Sequence, residues 1–254
     1  MSAAAGGDAP RVWICVPTYD EADNVERMSE ALLGVLDRAG IDGHVLFIDD
    51  SSPDGTGAIA DRLAASEPRI QVLHRTVKSG IGPAYRDGFR AALAGGADLV
   101  MEMDCDFSHD PDDVPRLVEA AAGADLVLGS RYVRGGGVSD WGLVRRAISR
   151  GGCLYAKLVL GIPVHDLTGG FKCFRREVLE ALPLDEVSAR GYGFQIEMTY
   201  RAILLGFRVA EVPITFSDRE LGRSKMSRGI VLEAATLVPR LRLRLGRGRG
   251  SASG

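Results

Sequence analysis

The sequence predicts an α/β fold, a mostly parallel sheet flanked on both faces by helices within a single domain. Three observations point there. Short apolar runs alternate with segments of helical apolar spacing through the first half of the chain, the pattern of parallel pairing. The runs are followed by stretches rich in carboxylates, hydroxyls or an arginine: PTYDE, DDSSPDGT, MDCD and GSRY. In open α/β sheets such strand ends form the binding crevice. The length, 254 residues, suits one domain with a substantial core.

Taken in order, residues 11–16 form a first strand ending at Pro17, and 24–39 a helix through Val25, Met28, Leu32, Leu33 and Leu36. Strands follow at 44–48 and 70–73, a helix at 83–93, a strand at 99–103, a helix at 114–122 and a strand at 126–128. The second half is less regular. Residues 142–160 read as one basic amphipathic helix, or two interrupted at Gly151-Gly152. Residues 193–205 read as a helix, 208–216 as a strand and 230–245 as an Arg/Leu-alternating helix.

The composition is that of an ordinary globular protein, 46% hydrophobic and 26% charged. The four cysteines form no CxxC pair, and three lie in apolar runs, which favours buried free thiols in a reducing compartment. No run approaches the ~18 apolar residues of a membrane span, and Met1 to Pro10 lacks the order of a signal peptide. The net charge of −3 hides a basic end: from Asp218 onward nine basic residues face three acids. Such a tail suits nucleic acid, anionic lipid or a partner, or is simply solvated. The acidic pI of 5.9 and the lack of interleaved aromatics argue against nucleic acid.

Asp104-Cys105-Asp106 follows the apolar strand LVMEM. Two carboxylates one residue apart cannot both enter a core without a large desolvation cost. They can share a Mg²⁺ or Mn²⁺ ion with phosphate oxygens; the alternative is an acidic turn. In DDSSPDGT, Asp49 suits ribose or base edges, while Ser52 to Thr56 also read as a turn capping a helix. Arg131 follows a buried strand, where a cation requires an anion. That anion is either a ligand phosphate or a carboxylate such as Asp125 or Asp166.

PTYDE, DDSSPDGT, MDCDFSH, GSRY, DLTGGFKCF, GYGFQIEM and DRELGRSKM occur in this order from Pro17 to Met226. The ordered set resembles the polyprenol-phosphate (dolichol-phosphate) mannosyltransferases, family 2 glycosyltransferases of the Rossmann-like, nucleotide-sugar-binding GT-A fold. One departure is Cys105, where alanine is more usual. The resemblance implies inverting transfer of mannose from GDP-mannose to a polyprenyl monophosphate, with a divalent cation, Mg²⁺ or Mn²⁺. It implies that Pro17, Tyr19, Glu21, Phe47 and Asp49 bind the nucleoside and that Asp104 and Asp106 hold metal and diphosphate. Cys105 would join them through its backbone or small side chain, and Gln195 would complete the metal shell. Arg219 and Lys225 would close over the donor phosphates; Arg131, Arg145 and Ser149 would contact the acceptor phosphate. The implied layout is an N-terminal tail (1–10), a catalytic domain (11–229), a basic amphipathic helix (230–245) and a C-terminal tail (246–254).

Residues 144–162 suit a helix lying in a membrane surface, apolar toward acyl chains and basic toward headgroups; a helix packed on the core with a solvated basic face fits equally. The expectation is a peripheral protein on the cytoplasmic face, held by these contacts or by an integral-membrane partner protein. Two rival readings are the same fold using a UDP-sugar such as UDP-glucose, and a non-catalytic subunit that recruits a membrane enzyme.

Overall fold

The computed structural model describes residues 9–187, 189, 191–218 and 228–246, with 228–235 described by their backbone. Nine strands and eight helices alternate among them: β1 (Val12–Thr18), α1 (Val25–Ala39), β2 (Gly43–Asp49), α2 (Thr56–Ser66), β3 (Ile70–His74), α3 (Ile81–Ala94), β4 (Leu99–Glu102), α4 (Val114–Ala120), β5 (Leu126–Ser130), β6 (Gly137–Val138), α5 (Leu143–Leu160), β7 (Lys172–Arg175), α6 (Arg176–Ala181), α7 (Tyr192–Leu204), β8 (Val209–Pro213), β9 (Thr215–Phe216) and α8 (Arg228–Gly246).

Seven strands form one sheet in the order β3-β2-β1-β4-β7-β5-β8. All its pairings are parallel except those of β7, which runs antiparallel between β4 and β5. The two-residue periodicity of a strand splits the core into two layers. Val12, Ile14, Val16, Val45 and Phe47 pack with Met28 and Leu32 of α1 on one face. Trp13, Cys15, Leu46 and Ile48 pack with Tyr85 and Phe89 of α3 and Phe194 of α7 on the other. On β4, Val100 belongs to the α3/α7 layer and Leu99 and Met101 to the opposite one. The alternation therefore turns Glu102, and Asp104 beyond it, toward α7.

One expected strand is divided, one open alternative is decided, and one helix begins earlier than expected. The run 208–216 is two strands: Pro213 has no N–H to extend the ladder, and after Ile214 the chain pairs with β6 instead. α5 continues through Gly151-Gly152, because both glycines stand in open space while Cys153, Ala156 and Leu160 anchor the helix. α8 starts at Arg228 and buries Val238 and Leu241 in the α3/α7 layer, so it is part of the same core. All four cysteines are free and buried. Among the described residues no helix is long and apolar enough to cross a membrane.

Candidate active site

The C-terminal ends of β1, β2 and β4 open onto one crevice. Its lining includes Pro17, Thr18, Tyr19, Glu21, Asp50, Lys78, Asp104, Cys105 and Asp106. The loops there are bent hard. Asp20, Ser51, Phe107 and Asp140 are the four described non-glycine residues with positive φ. The first three lie in the loops after β1, β2 and β4, and Asp140 precedes α5; such conformations persist where surrounding structure imposes them, commonly at functional sites. The turn at Phe107 lets the Ser108 N–H donate to Asp106 Oδ1 at 3.1 Å.

Of the nucleoside residues expected from sequence, Pro17, Tyr19 and Glu21 line the crevice. Tyr19 carries the Lys78 ammonium 3.0 Å above its ring, a cation–π contact. Phe47 does not reach the crevice: it is fully buried, because its parity on β2 places it with Val45 under α1 and α2. Asp49 shares that parity. Its Oδ1 accepts the Ser52 N–H at 3.2 Å and its Oδ2 lies 3.6 Å from His74. The carboxylate facing the crevice is its neighbour Asp50, which is held by Arg75 and by the Ser79 N–H at 3.3 Å.

Asp104 and Gln195 meet at Gly170. A Cβ on that glycine would stand 3.5 Å from Gln195 Nε2 and 3.9 Å from Asp104 Oδ1. Gln195 is buried, and neither atom of its amide makes a hydrogen bond. Beneath it, Glu102 and Lys172 are both fully buried. Burial pushes the Glu102 carboxyl up to about 7 against the pull of Lys172. Burial likewise lowers the Lys172 ammonium to about 8 against that of Glu102. Gln195 approaches Glu102 without reaching hydrogen-bond geometry. An unbonded amide beside the Asp104 carboxylate, with a glycine keeping the intervening space clear, fits Mg²⁺ or Mn²⁺ once the amide turns its oxygen toward Asp104 in place of the nitrogen. Among the described residues no three of His, Cys, Asp and Glu gather as a metal-binding set, so phosphate or water oxygens would have to complete such a shell.

His109 links this side to the next. It is buried, and its Nδ1 accepts the Asp104 N–H at 3.3 Å; burial lowers its pKa to about 4, so the ring is neutral. It stacks on Phe171 at 5.0 Å and meets Phe216 edge-on at 5.3 Å. Phe216 in turn meets Trp141 at 5.4 Å, and the Arg145 guanidinium lies 4.0 Å above the Trp141 ring. The Arg131 guanidinium stands 5.4 Å from Phe216 and 5.7 Å from Trp141.

Arg131 is buried and paired with Asp166, one of the two carboxylates named as alternatives. Nε and Nη2 each donate to its carboxylate at 2.7 Å, Nη2 also to Thr168 at 2.8 Å, and the Arg131 N–H donates at 2.9 Å. Burial would raise the Asp166 carboxyl, but the Arg131 guanidinium holds it below the usual carboxylate range. The other alternative, Asp125, binds the exposed Arg208. Within the described residues Nη1 of Arg131 makes no hydrogen bond. Arg145 pairs with Asp218 at 2.9 Å, and Ser149 accepts from the Tyr132 hydroxyl at 2.6 Å. Arg219 and Lys225 lie outside the described residues.

Sequence reading missed Asp50, Lys78, Trp141, Phe216, Glu102 and Lys172. Asp50 and Lys172 sat in motifs already singled out, Glu102 in the strand LVMEM, and Trp141 just before the basic residues of α5; Lys78 and Phe216 have no sequence signal apart from their neighbours in space.

The chain belongs to glycosyl transferase family 2, whose family model matches residues 13–182; it is a glycosyltransferase. Within that family it groups with the polyprenol-phosphate mannosyltransferases. It is 49% identical to the undecaprenyl-phosphate mannosyltransferase of Micrococcus luteus over 91% of this chain and 93% of the relative. It is 47% identical to the polyprenol monophosphomannose synthase of Mycolicibacterium smegmatis over 94% and 91%. Among solved structures, the glucosyl-3-phosphoglycerate synthase of Mycobacterium tuberculosis, in complex with Mn²⁺, UDP and phosphoglyceric acid, superposes with a TM-score of 0.65. At 20% identity, over 93% of this chain and 79% of that one, it shares the GT-A fold.

Proposed function

We propose that this chain transfers mannose from GDP-mannose to the phosphate of a membrane polyprenyl phosphate, with inversion at the sugar carbon, on the cytoplasmic face of a membrane. The observation that supports it most is the division of the site. Acids with an orphaned amide (Asp104, Asp106, Gln195) stand at one end and two arginines (Arg131, Arg145) at the other, joined by His109, Phe216 and Trp141. The names of the two relatives point to the same acceptor class.

Tyr19 and Glu21 would hold the nucleoside, with Asp50 and Lys78 beside them. Asp104, Asp106 and Gln195 would hold Mg²⁺ or Mn²⁺, which when bound neutralises charge developing on the departing diphosphate. Arg131 is pre-aimed by Asp166 and keeps Nη1 for the acceptor phosphate. Arg145 would exchange Asp218 for the same anion, with Ser149 alongside. An acceptor phosphate oxygen attacks the anomeric carbon as its bond to the β-phosphate oxygen breaks, and GDP leaves with the electron pair. A phosphate monoester is already ionised near pH 7, so the residues need to position two anions rather than remove a proton. α5 begins beside Trp141 and exposes Leu143, Val144, Ile148, Leu154 and Leu158 among Arg145, Arg146 and Arg150, a surface suited to anionic lipid.

The test is transfer of labelled sugar to a short polyprenyl phosphate from GDP-mannose and, in parallel, UDP-glucose, with and without EDTA. Transfer from GDP-mannose that EDTA and Asp106→Ala abolish is expected. Transfer from UDP-glucose alone would replace the donor, and none from either would favour a recruiting subunit.

A further inference from the structure

Lys172 is fully buried in β7, an environment a lysine rarely occupies unless paired. Its ammonium does not touch a carboxylate. It donates to the carbonyl oxygen of Gln195 at 2.8 Å and to Thr199 Oγ1 at 3.0 Å. The Thr199 hydroxyl donates its own proton to the same Gln195 carbonyl, also at 3.0 Å. One backbone oxygen in the first turns of α7 thus takes two side-chain hydrogen bonds. Directly across the β4–β7 ladder from Lys172 is Glu102, fully buried and two residues before Asp104. The lysine therefore ties β7, the ladder partner of the strand that leads into Asp104 and Asp106, to the helix that carries Gln195. A core needing only volume there would be served as well by apolar residues, since a buried ion pair stabilises little on balance. Its placement answers a different need: the Gln195 amide makes no hydrogen bond and only approaches Glu102, so its direction depends on the backbone that carries it.

We propose that Lys172, with Thr199 and the countercharge of Glu102, is a positioning group that holds Gln195 against Asp104 and thereby sets the cation affinity of the site. This rests on the reading of Asp104, Asp106 and Gln195 as the residues that hold a divalent cation. The groups that support metal ligands are commonly worth 10–100-fold in metal affinity.

The experiment measures Mn²⁺ binding to the full chain in saturating GDP, by loss of the free-ion electron paramagnetic resonance signal, alongside thermal melting. Two variants are used, Glu102→Leu/Lys172→Met, which removes both charges together, and Thr199→Val. The double variant is expected to melt near the wild type and to bind Mn²⁺ roughly 10–100-fold more weakly. Thr199→Val, which keeps the shape of the side chain, should bind about 3–10-fold more weakly, and the affinity for GDP without metal should be unchanged in both. Wild-type Mn²⁺ affinity in either folded variant overturns the positioning role. A wild-type chain that binds no Mn²⁺ overturns the cation reading and this inference with it, whereas Asp106→Ala that loses Mn²⁺ keeps the two apart.

Discussion

Replacing Asp166 by Asn tests the buried pair on which the acceptor side is built. Asp166 is fully buried and Arg131 nearly so. The carboxylate accepts Nε and Nη2 at 2.7 Å each and the Arg131 N–H at 2.9 Å. Asn offers one oxygen in place of two and turns an N–H₂ toward a guanidinium that cannot give up its proton. The result is a buried cation without a countercharge, at a cost of about 3–5 kcal/mol. For a domain of this size that lowers Tm by roughly 6–20 °C. The control is Asp112→Asn, whose partner Arg38 is two-thirds exposed and whose loss should move Tm by less than about 4 °C. Calorimetric melts of the three proteins at pH 7 decide the matter. Asp166→Asn melting within about 2 °C of wild type would refute the idea that this pair is desolvated and that Arg131 depends on it.

Other outcomes follow from the same geometry. Gly170→Ala places a methyl in ordinary contact with Gln195 and Asp104; Mn²⁺ affinity measured in the presence of GDP should fall about 10-fold with Tm unchanged. Burial holds His109 neutral down to about pH 4 in the fold, whereas the unfolded chain takes up that proton near 6.5. The contribution of neutral His109 is therefore complete above 6.5 and lost as pH falls toward 4, by about 3 kcal/mol. Denaturant midpoints of His109→Phe should consequently vary less than wild type between pH 7 and 4. Tyr19→Ala should raise KM for the nucleotide sugar about 3–30-fold, the worth of a cation–π contact and a stacking face, and leave the acceptor KM alone. Trp141→Ala should do the reverse, since its ring carries Arg145; steady-state kinetics with each substrate varied separately tells them apart.

The parallel strands of the seven-stranded sheet and the helices α1, α3 and α7 were legible in the sequence, most plainly β1, β2 and β5, which are buried on both faces and read as apolar runs. β7 was not: it spans four residues, two of them Lys172 and Arg175, and its burial depends on β4 and β5, both distant in sequence. The carboxylates at the strand ends were found by composition, but parity decides which of them faces the crevice. A strand alternates strictly, so Phe47 and Asp49 turn toward α1 and α2, and Asp50, one residue on, enters the site. The arginine of GSRY was recognised as needing an anion, yet two carboxylates were open to it until the loop 166–170 was seen folding over the end of β5. The aromatic link from His109 to Arg145 joins residues from three separate segments and has no linear signature.

The most direct test of the central claim is the fate of labelled mannose. Wild-type chain is supplied with GDP-mannose, Mn²⁺, polyprenyl phosphate in anionic vesicles and an equal amount of a water-soluble phosphate ester such as phosphoglycerate. The product is then separated by solvent partition, and its anomeric configuration is read by nuclear magnetic resonance. Label recovered in the lipid as a β-mannosyl phosphate, and lost with Arg131→Met, is the expected result. Label on the water-soluble ester, or released as free mannose, would contradict the assignment of this site to a lipid phosphate acceptor.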